Sequence, residues 1–147
     1  MLVETAAAVP AAAAVAVESA PTPAQMAELA RLMERAERPL LLAGGTRWTA
    51  DAVAALRRFA ERFALPVAVS FRRQMLFDHA HPCYAGDVGL GINPKLAARV
   101  READLLLLLG GRFSEVPSQS YELLAIPEPA AALVHVHPGP EIGRAHV

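Results

Sequence analysis

The feature that most constrains this chain is the run Leu105-Leu106-Leu107-Leu108-Leu109, preceded by Asp104 and followed by Gly110-Gly111-Arg112. Five leucines in a row leave no polar face and are too few for a helical core. Bounded by a charge on one side and a glycine pair on the other, they read as a strand buried on both faces. Such a strand belongs to a parallel sheet with helices above and below it. Its glycine end is then the edge at which open α/β sheets bind ligands.

The rest of the chain fits that plan. Thr22-Pro23-Ala24-Gln25 predicts a capped helix start, and Met26, Leu29, Ala30 and Met33 give the helix one apolar face opposite Glu28, Arg31, Glu34 and Arg35. Leu40 to Ala43 predicts a buried strand closed by Gly44-Gly45. Thr49 caps a second helix, with Asp51 in its first turn and Val53, Leu56, Ala60 and Phe63 facing inward. Val67 to Ser70 follows as a strand after Pro66. Phe71 to Ile92 reads as the longest irregular stretch, with Tyr84 in no more than a very short strand. Asn93-Pro94 opens a third helix that buries Leu96, Ala97 and Val100. A short helix is expected around Ser120 to Leu124, and Ala132 to Val136 is the last clear strand. Helices and strands alternating through short joints predict an α/β domain with a doubly wound, mainly parallel sheet.

Composition narrows the classes of function. The formal net charge of -1, with no basic face, argues against nucleic-acid binding. No apolar run approaches the roughly 20 residues that span a bilayer, so no membrane partner is expected. Cys83 is the one cysteine, which excludes an internal disulfide and points to a reducing, cytoplasmic compartment. Residues 1–21 are rich in small residues, carry Pro10 and Pro21, and lack a basic start; they read as an interdomain linker rather than a signal peptide. Residues 22–147 read as the domain itself.

Few residues carry candidate chemistry. Gly44, Gly45, Gly110 and Gly111 each follow a buried strand and allow backbone N–H groups to approach a phosphate. Neither pair spells a G-x-G-x-x-G or P-loop motif, and a turn that merely packs explains them as well. Arg112 at the same edge suits a phosphate or carboxylate, or an ion pair with Glu115. His79, His81 and Cys83 lack a second ligand pair at zinc spacing and read as a polar loop with a buried thiol. His135 and His137 share one face of the last strand, as ligands or as ordinary edge histidines. Ser70, Ser114 and Ser118 have no nucleophile-elbow context, and Trp48 has only a packing role. No catalytic residue or metal ligand is assigned.

Five ordered segments resemble a known family. Arg38-Pro39-Leu40-Leu41-Leu42-Ala43-Gly44-Gly45 is similar to the entry to the central domain of thiamine diphosphate-dependent enzymes of the acetolactate synthase type. Leu65 to Ser70 is similar to that domain's second strand, and His81-Pro82-x-Tyr84-x-Gly86-x-x-Gly89-x-Gly91 to its signature loop. Ala103-Asp104 through Phe113 resembles its A-D-L-x-L-x-x-G-x-R-F segment, and Leu133 to Pro138 with Glu141-Ile142-Gly143 its following strand and turn. Glu141 to Val147 also reads as the translation of a common sequencing adapter, so both readings of the tail stand at this point.

The resemblance implies a Rossmann-like middle domain that is catalytically silent alone, C-terminally truncated and lacking its final strand. Flanking pyrimidine- and diphosphate-binding domains would carry thiamine diphosphate and Mg2+, outside this chain, in a homo-oligomer acting on 2-oxo acids. Members of the acetolactate synthase type hold FAD in this domain, whereas several decarboxylase relatives hold no flavin or another nucleotide. Carried over, the FAD-contacting residues would be Gly44, Gly45, Gly86, Gly89, Gly91, Gly110, Gly111, Arg112 and His137. Two departures count against FAD. The family's Asp-x-Asp is His135-x-His137 here, and its Asp-Asp pair is Ser114-Glu115. The alternatives are a free-standing FAD- or NAD-binding module and a non-catalytic interaction domain.

Overall fold

The computed structural model describes residues 19–137. The expected linker falls almost wholly outside them, as do Pro138-Gly139-Pro140 and the tail from Glu141 to Val147.

The leucine run forms β4, Leu105–Leu109. Leu105 and Leu107 are buried against one face of the sheet, and Leu106 and Leu108 against the other. That two-sided burial is what a strand of leucines without a polar face requires. Beside it runs β1, Pro39–Ala43, paired in parallel from Pro39↔Leu105 to Ala43↔Leu109. The sheet continues through β2, Val67–Ser70, to β3, Tyr84–Val88, and on the far side of β4 to β5, Ala132–Val136. All neighbours are parallel, in the order β3-β2-β1-β4-β5. The chain runs outward from β1 in one direction and from β4 in the other. The point of reversal therefore lies between the ends of these two strands.

Helix α1, Pro23–Arg35, starts at the expected capping box: the Gln25 N–H donates to Thr22 Oγ1 at 3.3 Å and the Thr22 N–H to Gln25 Oε1 at 2.8 Å. Its inward stripe is Leu29, Leu32, Met33 and Ala36. Met26 and Ala30, expected inside, are exposed, and Leu32 takes the inward place beside Leu29 and Met33. Helix α2, Ala50–Phe63, begins at Thr49, whose Oγ1 accepts from the Ala52 N–H at 3.1 Å. Leu56 and Ala60 are buried as expected, but Phe59 packs inward in place of Phe63. Phe63 closes the helix and leans on Phe59 from outside, ring centroids 4.9 Å apart. Together α1 and α2 cover Leu41, Ala43, Val67, Val69, Leu105 and Leu107. On the other face α3, Pro94–Glu102, buries Leu96, Ala97 and Val100 against Leu40, Leu42, Ala68 and Val88.

Asp104 ties the starts of three strands. Its carboxylate accepts the backbone N–H groups of Glu37 at 2.7 Å and Arg38 at 3.0 Å, just before β1. Its carbonyl accepts from the Ala132 N–H at 2.8 Å, where β5 begins.

Two local expectations are corrected. The irregular stretch contains a five-residue edge strand, β3, joined to β2 through a bulge that skips Ala85. Ser120 to Leu124 is not a helix. Gln119, Ser120 and Tyr121 lie in the left-handed region at φ 53°, 59° and 65°, so the chain winds the wrong way for an α-turn. Backbone bonds from Ser120 N–H to Glu115 O and Leu123 N–H to Ser118 O hold it there and bury Leu123. Among the described residues β5 forms one margin of the sheet, with Leu133 46% and Val136 38% exposed. None of the described helices is long and apolar enough to cross a membrane.

Candidate functional site

The reversal point between β1 and β4 is where an open α/β sheet offers a crevice. Both glycine pairs lie there, and they face each other. A Cβ on Gly45 would stand 1.9 Å from the Gly110 carbonyl oxygen, one on Gly110 2.8 Å from the Gly44 carbonyl oxygen, and one on Gly111 2.9 Å from Gly44 Cα. Gly45 and Gly110 also have positive φ, 76° and 77°. These glycines let two turns touch backbone to backbone. The Gly44 N–H is already used by Leu109 O and the Gly110 N–H by Val136 O, both at 2.9 Å.

Trp48, which the sequence suggested only for packing, closes the crevice from the α2 side. Its Nε1–H donates to Gly44 O at 2.6 Å, and the indole lies against Gly110. The signal was its place, between the Gly44-Gly45 turn and the Thr49 cap. On the α3 side a cleft of about 10 Å³ remains, lined by Gly44, Ser70, Gly111, Arg112, Phe113 and Pro117, with room for about one water.

His135 stands at the end of β5, opposite Leu108 and so on the α3 face. Its Nε2 lies 2.6 Å from Gly111 O. A carbonyl only accepts, so Nε2 carries the hydrogen. Burial first, and then the charges of His137 and Arg112, push the imidazole pKa down, against the opposing pull of Gly111 O. His137 follows on the same face, ring centroids 5.5 Å apart. Arg112 is exposed, and among the described residues it forms no ion pair with Glu115.

The remaining expected contacts are dispersed. Gly86 lies inside β3 with Leu96 of α3 over it, away from the strand ends. Gly89 and Gly91 follow β3 at the C-terminal edge. The Gly89 carbonyl accepts from Gln119 Nε2 at 3.0 Å, and nothing lies within 4 Å of a Cβ on Gly91. The loop histidines turn to separate partners. His79 Nε2 bonds Gln74 O at 3.0 Å and its ring stacks on Tyr84, while His81 bridges Glu61 Oε1 at 3.1 Å and the Cys83 N–H. Cys83 Sγ points to Ala60 O at 3.7 Å. Among the described residues no three of His, Cys, Asp and Glu converge as a metal needs. A larger groove of about 530 Å³, lined by Val53, Ala54, Arg57, Met75, Phe77 and His81, lies between α2 and the segment after β2.

A flavin dinucleotide does not fit the crevice as these residues build it. Two of the four glycine N–H groups are taken, and Trp48 fills one side. The end of β5 offers imidazoles where ribose hydroxyls call for a carboxylate.

Comparison with known proteins places this architecture. Residues 26–147 match the family described as "Thiamine pyrophosphate enzyme, central domain". The chain is 31% identical over 105 residues to 3D-(3,5/4)-trihydroxycyclohexane-1,2-dione hydrolase 2 of Bacillus cereus, covering 70% of this chain and 16% of that protein. It superimposes with TM-score 0.67 and 26% identity on an enzyme from Mycobacterium smegmatis assigned as thiamin diphosphate-dependent, covering 88% of this chain and 25% of that one. Benzoylformate decarboxylase from Polynucleobacter necessarius gives the same score and identity over 95% of this chain and 26% of its own. The chain thus spans about a sixth of the curated relative and a quarter of the solved structures. Its sheet, its two-sided helical cover and this match make the chain a member of the thiamine pyrophosphate enzyme central-domain family.

Proposed function

We propose that this chain is the scaffolding middle domain of a thiamine diphosphate-dependent enzyme acting on 2-oxo acids, and that it works without a flavin. The observation that carries this reading is the crevice closed by Trp48 and the interlocked glycine pairs. The thiamine diphosphate and its Mg2+ belong to flanking pyrimidine- and diphosphate-binding domains, since the side chains described here offer neither a diphosphate cradle nor a metal ligand set. The domain's work is then to space those domains and support a homo-oligomer. The substrate class follows from the likeness to benzoylformate decarboxylase, whose named substrate is a 2-oxo acid. One cysteine and a near-neutral charge suit a cytoplasmic enzyme that binds neither nucleic acid nor membrane.

A domain exchange tests the reading. Residues 22–137 replace the matching segment of the Polynucleobacter decarboxylase. The expected result is a folded chimera that binds thiamine diphosphate and decarboxylates benzoylformate without added flavin. A folded chimera that gains activity only when FAD is supplied would overturn the flavin-free reading. A folded chimera that binds no thiamine diphosphate would overturn the scaffold reading.

A further inference from the structure

We propose that His81 is an acid-sensitive latch: its neutral ring ties the start of β3 to α2, and a proton on Nδ1 releases the Cys83 end. The latch lies where β2 and β3 begin, at the opposite edge of the sheet from the glycine crevice.

Two bonds fix the state of the ring. Nε2 lies 3.1 Å from Glu61 Oε1, and Nδ1 accepts the Cys83 N–H at 3.1 Å. A backbone N–H only donates, so Nδ1 carries no hydrogen. Arg57 first, and then His81, holds the Glu61 carboxyl below its usual range. That carboxylate accepts, so Nε2 carries the hydrogen. The ring is thus the neutral Nε2–H form, with both nitrogens in use. Its side chain is 7% exposed, and the Phe77 ring meets it edge-on at 5.1 Å between centroids.

The turn around this ring brings β3 into the sheet. His81 O accepts from the Tyr84 N–H at 2.8 Å, and Cys83 O accepts from the Val67 N–H at 2.8 Å, where β2 and β3 begin to pair. A proton on Nδ1 turns an acceptor into a donor facing the Cys83 N–H, and that bond is lost. The groups around the ring decide which side gives way. From α2 come Glu61, which pairs with the new imidazolium, and Arg57, whose Nε lies 2.9 Å from Glu61 Oε1. From the turn come Asp78, whose charge acts on Arg57, and the Cys83 thiol, which points to Ala60 O. His79 is turned to Gln74 O and stacked on Tyr84 of β3. Glu61 keeps the charged ring on α2, so the Cys83 side opens. The open turn takes a proton for which the closed turn has no place, and closure weakens as pH falls.

The test uses the whole chain labelled with 15N. It follows the His81 ring nitrogen shifts and the amide-exchange protection of Cys83, Tyr84 and Val67. Protection is taken relative to the unfolded chain at the same pH, which cancels the pH dependence of exchange itself. The expected result is an Nε2–H ring at about pH 7.5, and about tenfold lower protection at Cys83 and Val67 at about pH 5, with the β4 amides unchanged. His81→Asn places a non-titrating acceptor where Nδ1 stood, and keeps the Cys83 protection at both pH values. Glu61→Gln still accepts from Nε2–H but lacks the charge that favours the imidazolium, so the loss moves to lower pH. An Nδ1–H ring at about pH 7.5, Cys83 protection that stays constant while the ring takes its proton, or the same acid loss in His81→Asn overturns the proposal.

Discussion

Asp104 shows how much one side chain can organise. Partial burial works to raise its carboxyl pKa, but the N–H groups of Glu37, Arg38 and Asp104 itself, with the charge of Arg38, outweigh burial and lower it. A carboxyl lowered by folding stabilises above its unfolded pKa, and that contribution disappears as pH falls through the folded value. Asp104→Ala is expected to cost about 1–3 kcal/mol in urea unfolding at neutral pH. The gap to the unaltered protein should narrow in acid. A gap that widens in acid would exclude the carboxylate as the stabilising species. Gly45→Ala tests the interlocked turns. The new methyl meets the Gly110 carbonyl at a positive φ, so a loss of about 3 kcal/mol or more is expected by the same method. The sequence marked Gly45 and Gly110 as turn glycines. It could not show that they meet, because 65 residues separate them and only the β1–β4 pairing joins them.

Elements were most legible where local chemistry and tertiary packing agree. The capping box at Thr22, the Asn93-Pro94 start and the leucine strand all appear where their residues place them. Thr22→Ala is expected to cost about 1 kcal/mol, seen as a lowered urea midpoint, because the Gln25 N–H loses its acceptor. Edge strand β3 was legible only as a very short strand around Tyr84. Its Gly86 and Asp87 are poor strand residues, and pairing with β2 overrides that preference. The left-handed turn was not legible at all. Gln119, Ser120 and Tyr121 include no glycine, and the bonds to Glu115 and Ser118 that impose the turn come from the preceding residues. Ser120→Gly relieves a left-handed residue and is expected to stabilise the chain by about 0.5–1 kcal/mol; a destabilised variant would show that the serine itself supports the turn.

At the scale of the molecule, alternating helices and strands announced the doubly wound sheet, and five ordered segments announced the family. The state of the crevice was hidden. Glycine pairs at two strand ends are equally compatible with an open phosphate cradle and with two turns packed on each other. Trp48 decides between them, and a lone aromatic after a turn carries no motif. The proposed domain is therefore one whose own groups fill the place of a dinucleotide. Trp48 is the one tryptophan, so its fluorescence reports on that place without a label. The most direct measurement is titration of the whole chain with FAD, with NAD and ADP alongside, following Trp48 emission and flavin quenching together. A closed crevice gives no saturable change in either signal from a chain shown to be folded by circular dichroism. Saturable FAD binding that quenches Trp48, and is lost in Arg112→Ala, would contradict it.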